Sequence, residues 1–285
     1  MITELKFNLA RIALYPAPLR LLIFILVLLL LWLPVAAPIN LWVDDKNLAN
    51  ILTLPLLYGI FASLLRLWGK YIYGQPNLWR EYGLVRTRRN GTELLIGLGL
   101  GIVSVSSLFL VEGWMGWLWW RQPPVFFWRF VVEGLIVALA YGFAEELLFR
   151  GWLLDELQRD YHPRVVLWAD ALIFATLHFI KPLSEIIRTL PQFPALVLLG
   201  LTLVWAKRCS KGRLGLPIGL HAGLIWGYYA INVGQMVQYS DRISEWVTGV
   251  DRNPLAGGMG ILFLGAIALG VRRFSQMSVQ AAGNE

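Results

Sequence analysis

The sequence predicts an all-α integral membrane protein, a polytopic bundle of about eight transmembrane helices. Of the 285 residues, 57% are hydrophobic and only 15% are charged, whereas charged residues make up about 25% of a typical soluble domain. A bilayer core of about 30 Å requires roughly 20 apolar residues in a helix. Six uncharged runs approach or exceed this length: 21–43, 47–65, 94–111, 190–206, 214–240 and 254–271. Two further apolar runs, 126–149 and 165–180, contain acidic residues and bring the predicted number of helices to eight.

The distribution of basic residues predicts the orientation of these helices. With eight spans and a cytoplasmic N-terminus, most of the Lys and Arg residues fall on the cytoplasmic side, notably in 70–89 and 207–213. This is the positive-inside bias, and it places both termini in the cytoplasm. We therefore expect a multi-pass protein of the plasma membrane, with the lipid bilayer as its partner. The net charge of +7 does not indicate nucleic acid, because no basic run is interleaved with aromatic residues.

The N-terminal part of the chain, residues 1–125, is predicted to contain three helices and a basic cytoplasmic loop. Residues 1–20 are basic and amphipathic, which is typical of a segment on the membrane surface. The third helix carries Gly97, Gly99 and Gly101. No strand precedes them, so a nucleotide-binding loop is not indicated, and small residues at this spacing favour close packing of helices. The aromatic cluster 114–128 is typical of an interface belt on the outer side.

The remaining chain divides into a predicted catalytic core, 126–236, and a last segment, 237–285. The core contains helices 4 to 7, with the turn between helices 4 and 5 at His162 and a basic group after helix 6. The last segment contains helix 8 and a polar tail, which we expect to be disordered. The single cysteine, Cys209, excludes a disulfide within the chain.

Three charged residues at the end of helix 4 are the strongest functional signal. Glu145, Glu146 and Arg150 terminate an apolar run, although an ionised group near the middle of a bilayer costs about 2.5–3.5 kcal/mol. Adjacent glutamates point about 100° apart on a helix, so they serve different purposes. Glu146 and Arg150 are four residues apart in the order that favours an ion pair. This pair is predicted to orient the helix, which leaves Glu145 as the reactive group.

Two of the three histidines are predicted to share the level of Glu145 in the membrane. His162 lies in a turn and is expected to be solvated, whereas His178 and His221 lie in apolar helices. Glu145 and His178 are about equally far from the intervening turn, so an antiparallel hairpin brings them together. His221 follows a basic loop by about two helical turns, which favours a site in the cytoplasmic half.

The chemistry of one glutamate and two histidines leaves several functions open. A carboxylate in an apolar cavity is suited to act as a general base, and a histidine beside it can orient water or stabilise an oxyanion. The same three residues, Glu145, His178 and His221, could instead hold a divalent metal such as zinc with one open position. The proton relay of a transporter is a further alternative.

The motifs resemble those of the CPBP family, the Rce1-like and abortive-infection-like intramembrane proteases that include CAAX prenyl endopeptidases. Glu-Glu-x-x-x-Arg is matched at Glu145, Glu146 and Arg150, and Phe-x-x-x-His is matched at Phe174 and His178. The third motif, His-x-x-x-Asn or Asp, is matched only at His221, because Ile225 stands at the Asn or Asp position.

The resemblance implies an intramembrane endopeptidase, of metallo- or glutamate-type, acting on a hydrophobic or lipidated membrane-associated substrate such as a CAAX protein. Glu145 would activate water with His178 as its partner, and His221 would be a metal ligand or an oxyanion donor. Tyr228 could replace the donor missing at Ile225, whereas Asn232 lies about 16 Å along the helix from His221. Ile225 also favours an alternative, a non-catalytic scaffold or immunity-type protein on the same fold. A transporter is less favoured, because no internal symmetry is visible in the sequence.

Overall fold

The computed structural model describes residues 9–240 and 242–283, with side chains described up to Met277. The predicted surface segment 1–20 therefore lies outside the described residues over its first eight positions. The helices, in chain order, are α1 (Ala17–Trp42), α2 (Lys46–Tyr71), α3 (Leu78–Glu81), α4 (Arg88–Trp114), α5 (Phe127–Glu146), α6 (Leu154–Gln158), α7 (Pro163–Leu177), α8 (Leu183–Thr189), α9 (Phe193–Cys209), α10 (Gly215–Tyr228), α11 (Glu245–Thr248) and α12 (Gly258–Gly283). Helix α12 continues through the segment predicted to be a disordered tail, up to Gly283.

Shorter elements connect these helices. Two π-helical turns, Leu147–Leu153 and Tyr229–Val233, follow α5 and α10. Single 3₁₀ turns occur at Arg11–Leu14, Leu190–Gln192, Val250–Arg252 and Pro254–Ala256. In the described part of the chain, sheet structure consists of one antiparallel pair, β1 (Leu118–Trp120) and β2 (Val237–Tyr239), with Trp119 opposite Gln238. The described fold is thus helical, as predicted, apart from this short pair of strands, which are distant in the sequence.

Among the residues that the structure describes, five helical segments are long and apolar enough to cross a membrane: Ala17–Trp42, Lys46–Tyr71, Arg88–Trp114, Leu183–Cys209 and Gly258–Met277. The protein is therefore an integral membrane protein. The count of eight spans and the orientation of the termini stay predictions. Helices α7 and α10 have 15 and 14 residues, a length of about 21–23 Å. They are shorter than the bilayer core, and both carry residues of the site described below.

The starts of the first long helices follow from their sequence. Pro16 precedes α1, where its missing N–H costs no hydrogen bond. Asp45 caps α2 by accepting hydrogen bonds from the N–H groups of Asn47 and Leu48. Thr87 caps α4 in the same way, because its hydroxyl accepts from the N–H of Asn90 at 3.2 Å. Such caps satisfy backbone donors that a helix leaves unpaired at its first turn.

The described residues form two compact units. The first contains the described chain up to Tyr82 together with Trp152–His162, and the second contains Gly83–Gly151 and the chain from Pro163 onwards. The division into 1–125, 126–236 and 237–285 made from the sequence stays a prediction.

A buried ion pair organises the first unit. Nε of Arg20 lies 2.8 Å from Oε2 of Glu156, and the two side chains are only 2% and 1% exposed. The Tyr73 hydroxyl donates to the same carboxylate at 2.6 Å. Burial, reinforced by the carboxylate, raises the pKa of Tyr73, so the phenol keeps the proton that it donates. Phe24 stacks against Trp152 beside this network, with 4.4 Å between ring centroids.

Glycines bring α4 and α10 into backbone contact in the second unit. A Cβ atom on Gly97 or Gly101 would lie 2.4–2.5 Å from backbone atoms of α10. Conversely, a Cβ atom on Gly219 would lie 2.0 Å from the carbonyl oxygen of Leu94, and one on Gly223 would lie 2.3 Å from a carbonyl of α4. The close packing predicted for the glycine cluster is therefore present, with Gly97 and Gly101 at the contact. Small residues allow such an approach between membrane helices, and here they fix the position of α10.

Candidate active site

The two adjacent glutamates at the end of α5 face different surroundings. The side chain of Glu145 is 25% exposed and lines a cavity of about 300 Å³. The side chain of Glu146 is completely buried and contacts Arg150, with 3.1 Å between Oε1 and Nη1. Arg150 lies on the π-helical turn Leu147–Leu153, whereas the sequence predicted an uninterrupted helix. Widened turns of this kind occur frequently at functional sites.

His178 lies on the turn directly after α7, not inside a helix as the sequence predicted. Helix α7 ends at Leu177, and Pro182 follows four residues after His178. Nδ1 of His178 is 2.7 Å from the carbonyl oxygen of Phe174. Because a carbonyl oxygen can only accept, Nδ1 carries a proton, and Nε2 of the neutral ring has a free lone pair. The ring is thereby fixed with Nε2 pointing towards Glu145.

His221 lies on α10 between the close-packed Gly219 and Gly223. Its side chain is nearly buried, and Nδ1 lies 2.9 Å from Oε1 of Glu146. Glu146 therefore contacts both Arg150 and His221, and the second contact was not predicted. Since the carboxylate accepts the Nδ1 proton, Nε2 of His221 is the nitrogen that faces the cavity.

The two imidazole rings and Glu145 converge on one point. Oε2 of Glu145 lies 3.7 Å from Nε2 of His178 and 3.9 Å from Nε2 of His221. These distances exceed those of a direct hydrogen bond, and a water molecule can bridge polar groups at such a separation. Oε2 of Glu145 is also buried without a protein hydrogen-bond partner among the described residues. The arrangement presents one carboxylate oxygen and two ring nitrogens to a common position.

A buried cluster around Arg150 supports this arrangement. The guanidinium also contacts Asp170, with 3.5 Å between Nε and Oδ2, and it donates to the carbonyl oxygen of Gly200 at 3.1 Å. The Lys207 ammonium donates to the carbonyl oxygen of Arg150 at 2.5 Å. Asp170 and Lys207 had no predicted role in the site. The only signal for Asp170 is its charge within an apolar run, because its partner lies on another helix.

Phe174 joins the histidines to the buried cluster. Its ring is fully buried and lies 4.5 Å from the ring of His178 and 6.1 Å from that of His221, measured between centroids. The guanidinium of Arg150 lies over the same phenyl ring, 4.4 Å from the ring centre. This cation–π contact and the two ring contacts restrict the orientation of both imidazoles. The predicted supporting residue is therefore in contact with three members of the site.

The residues around the missing donor also line the cavity. Ile225 and Tyr228 are on its wall, on the same face of α10 as His221. Nδ2 of Asn232 donates to the Tyr228 hydroxyl at 2.8 Å. The hydroxyl oxygen thus accepts from Asn232, and its own hydrogen remains for another acceptor. Asn232 is distant from His221 along the chain, as predicted, but it contacts Tyr228, whose hydroxyl was predicted as a replacement for the donor missing at Ile225.

Metal binding is the alternative role predicted for Glu145, His178 and His221. Over residues 9–240 and 242–283, no group of three His, Cys, Asp or Glu side chains is identified as a site for a metal ion. Coordination of a metal by these three residues stays a prediction. His162, the third histidine, is exposed just before α7, as expected for a turn residue.

The comparison with protein families agrees with the geometry of this site. Residues 127–227 match the model of the type II CAAX prenyl endopeptidase Rce1-like family, which is a family of proteases. No curated protein and no solved structure matches the chain. The matched segment includes Glu145, Glu146, His178, His221 and Ile225, and it ends before Tyr228. The family suspected from the three motifs is thus the one whose model the comparison finds, with the match confined to residues 127–227.

Proposed function

We propose that this protein is an intramembrane endopeptidase in which Glu145 is the general base. The observation that carries the proposal is the convergence of both Nε2 atoms on Oε2 of Glu145, at 3.7 and 3.9 Å, on the wall of a cavity. The expected substrate is a membrane-associated protein or peptide, hydrophobic or lipidated, as for the CAAX endopeptidases that give the family its description. We place the site in the cytoplasmic half of the plasma membrane.

Glu145 and His178 activate water in the proposed mechanism. A water molecule between them donates one hydrogen bond to Oε2 of Glu145 and a second to the lone pair on Nε2 of His178. Its oxygen is then oriented to attack the carbonyl carbon of the scissile peptide bond. Glu145 takes up the proton as the carbon–oxygen bond forms, and later gives it to the leaving amine as the carbon–nitrogen bond breaks. No step requires a metal ion.

His221 stabilises the oxyanion that forms on the carbonyl oxygen. In its protonated state it donates from Nε2, and the positive charge is stabilised by the Glu146 carboxylate on Nδ1, 2.9 Å away. The same logic holds for a histidine backed by a buried carboxylate in serine hydrolases. Tyr228 is the proposed second donor, because Asn232 occupies its oxygen and leaves its hydrogen for the cavity.

Proteolysis by the purified protein in lipid vesicles tests the proposal. Glu145→Gln and His178→Ala should each lower kcat about 10²–10⁴-fold, the contribution typical of a positioned acid–base group. The matched control is Glu133→Gln on the same helix, since Glu133 is an exposed residue paired with Arg129. Cleavage that persists in both site variants would show that Glu145 and His178 are not catalytic.

The second candidate function is a non-catalytic membrane scaffold on the same fold. Ile225 favours it, because this side chain lines the cavity and cannot donate a hydrogen bond. The discriminating variant is Ile225→Asn. If the wild-type protein is inactive, and if Ile225→Asn is inactive too while the protein still binds a partner, the scaffold is the better description.

A further inference from the structure

Asp170 is a buried acid that takes part in no step of the proposed mechanism. Its side chain on α7 is fully buried, and its Oδ2 lies 3.5 Å from Nε of Arg150. Over residues 9–240 and 242–283, neither oxygen of Asp170 has a protein hydrogen-bond partner, and nor has Nε of Arg150. A charge removed from water in this way is costly unless an opposite charge compensates it. The position of Asp170 therefore indicates a role that depends on its charge.

The charges of the buried cluster around Arg150 are balanced. Among the described side chains of this cluster, the acids are Glu146 and Asp170, and the bases are Arg150 and Lys207. Arg150, Lys207 and the partly exposed Arg208 attract Asp170, whereas Glu146 repels it. Because such interactions are strong in surroundings of low dielectric, the removal of one charge alone changes the forces on all the others. The removal of one acid and one base together changes them less.

The guanidinium of Arg150 faces a different partner on each of its nitrogens. Nη1 lies 3.1 Å from Oε1 of Glu146, and Nη2 donates to the carbonyl oxygen of Gly200 at 3.1 Å. Nε faces Asp170, and the guanidinium carbon lies 4.4 Å from the centre of the Phe174 ring. Because the guanidinium is a rigid plane, the partner of Nε helps to set the direction in which Nη1 points. Asp170 thus influences the contact between Arg150 and Glu146.

A single oxygen of Glu146 contacts both Arg150 and His221. Oε1 lies 3.1 Å from Nη1 of Arg150 and 2.9 Å from Nδ1 of His221. Oε2 of Glu146, by contrast, is buried without a protein hydrogen-bond partner among the described residues. If Asp170 did not neutralise part of the guanidinium charge, Arg150 would attract Glu146 more strongly. The hydrogen bond from His221 to the shared oxygen would then weaken, because hydrogen bonds in one network affect each other.

We infer that Asp170 is a positioning residue, which acts through Arg150 to hold Glu146 against His221. Lys207 balances the charge of Asp170, so the two residues act as a pair. Neither is among the described residues that line the cavity, so Asp170 affects the reaction without touching the substrate. The inference rests on the proposed function, because the step that depends on Asp170 is the stabilisation of the oxyanion by His221.

Cleavage of an apolar peptide by the full-length protein in lipid vesicles tests this inference. Asp170→Asn keeps the shape of the side chain and removes its charge. It should lower kcat about 10- to 100-fold, because a small displacement of His221 weakens a contact that is made in the transition state. KM should stay within about twofold of the wild-type value, because substrate binding in the cavity is unaffected. An unchanged kcat, or a loss confined to KM, would overturn the inference.

The double variant Asp170→Asn/Lys207→Met separates the balance of charge from a general loss of packing. Removing the charge of Lys207 as well should raise kcat about tenfold relative to Asp170→Asn, whereas independent losses would multiply. A double variant that is no faster than Asp170→Asn would overturn the inference. The control is Asp155→Asn, which removes an acid from a partly exposed pair with Arg159 and should keep the kcat of the wild type.

NMR of His221 separates this inference from the proposed function, because the measurement requires no turnover. The chain has three histidines, so His162→Gln together with His178→Ala leaves His221 as the one ¹⁵N-labelled imidazole. Its Nδ1 proton, which is bonded to a carboxylate, should resonate far downfield. Asp170→Asn should move this signal upfield, because the hydrogen bond to Glu146 weakens.

Lys207→Met provides a second variant for the same measurement. It disturbs the balance of charge in the opposite direction and should move the Nδ1 proton signal of His221 downfield, so it decides the matter if Asp170→Asn does not fold. Opposite shifts support the inference even if the wild-type protein cleaves no peptide, a result that would refute the protease. A signal that neither substitution moves overturns the inference and leaves a Glu145-dependent protease intact.

Discussion

The close contact between α4 and α10 predicts that a single methyl group will displace His221. In Gly219→Ala the new Cβ atom would lie 2.0 Å from the carbonyl oxygen of Leu94 and 2.8 Å from the backbone nitrogen of Leu98. Both neighbours are backbone atoms, so no flexible side chain can move aside. Reaching a van der Waals distance of about 3.5 Å requires the helices to separate by roughly 1.5 Å. His221 is two residues away and moves with α10.

This displacement should lower both the thermal stability of the protein and its rate of peptide cleavage. Overpacking in a close-packed core costs about 1–3 kcal/mol, which should appear as a lower Tm in thermal unfolding. A misplacement of about 1 Å at a catalytic group can lower the rate about 10²-fold, which should appear in kcat for peptide cleavage. The control is Gly99→Ala on α4, where the added Cβ atom has nothing within 4 Å and neither quantity should fall.

The outcome of this pair of variants is decisive for the helix contact. If Gly219→Ala retains both the Tm and the kcat of the wild type, the two backbones are not in the contact described. If Tm falls but kcat does not, the contact is real and His221 is not positioned by it.

Three further predictions concern the buried polar groups. Arg20→Ala leaves the buried carboxylate of Glu156 without its cation and should lower the free energy of unfolding by about 3–5 kcal/mol. The control Arg129→Ala removes an exposed arginine and should leave Tm unchanged. If Arg20→Ala also has the Tm of the wild type, the ion pair is not buried as described. Tyr228→Phe should lower kcat about 10²-fold with KM unchanged if its hydroxyl stabilises the oxyanion, and Asn232→Ala should have a smaller effect in the same direction; unchanged kcat in both would remove this donor from the mechanism. Glu146→Gln keeps an acceptor for Nδ1 of His221 but removes the negative charge that stabilises the protonated ring, so kcat should fall roughly 10²-fold. A kcat equal to that of the wild type would show that the charge of Glu146 does not contribute to catalysis.

Much of the fold class follows from composition and periodicity. A chain with 57% hydrophobic residues and long uncharged runs has to place them in lipid or in a core, and helices are the form that satisfies their own backbone. The glycine cluster of α4 likewise predicted a close helix contact, because small residues have few other uses in such a helix. The number of membrane spans is harder to predict from the sequence, because α7 and α10 are apolar but shorter than the bilayer core.

The sequence by itself determined the membrane class, the resemblance to the Rce1-like family over residues 127–227 and the choice of Glu145, His178 and His221 as candidates, because these depend on residue type and on spacing along single helices. Only the tertiary structure decided that Glu146 contacts His221, that Asp170 contacts Arg150, that Asn232 orients Tyr228, and that His178 lies on a turn. The first two contacts have the same physical reason. Helical periodicity predicts which residues share a face of one helix, whereas Glu146 and His221, and likewise Asp170 and Arg150, lie on separate segments, and their pairing depends on which faces meet. Asn232 is only four residues from Tyr228, so that contact is local and depends on the side-chain conformations. His178 differs because its helix ends where the ring bonds back to Phe174, a local choice that an apolar run does not reveal.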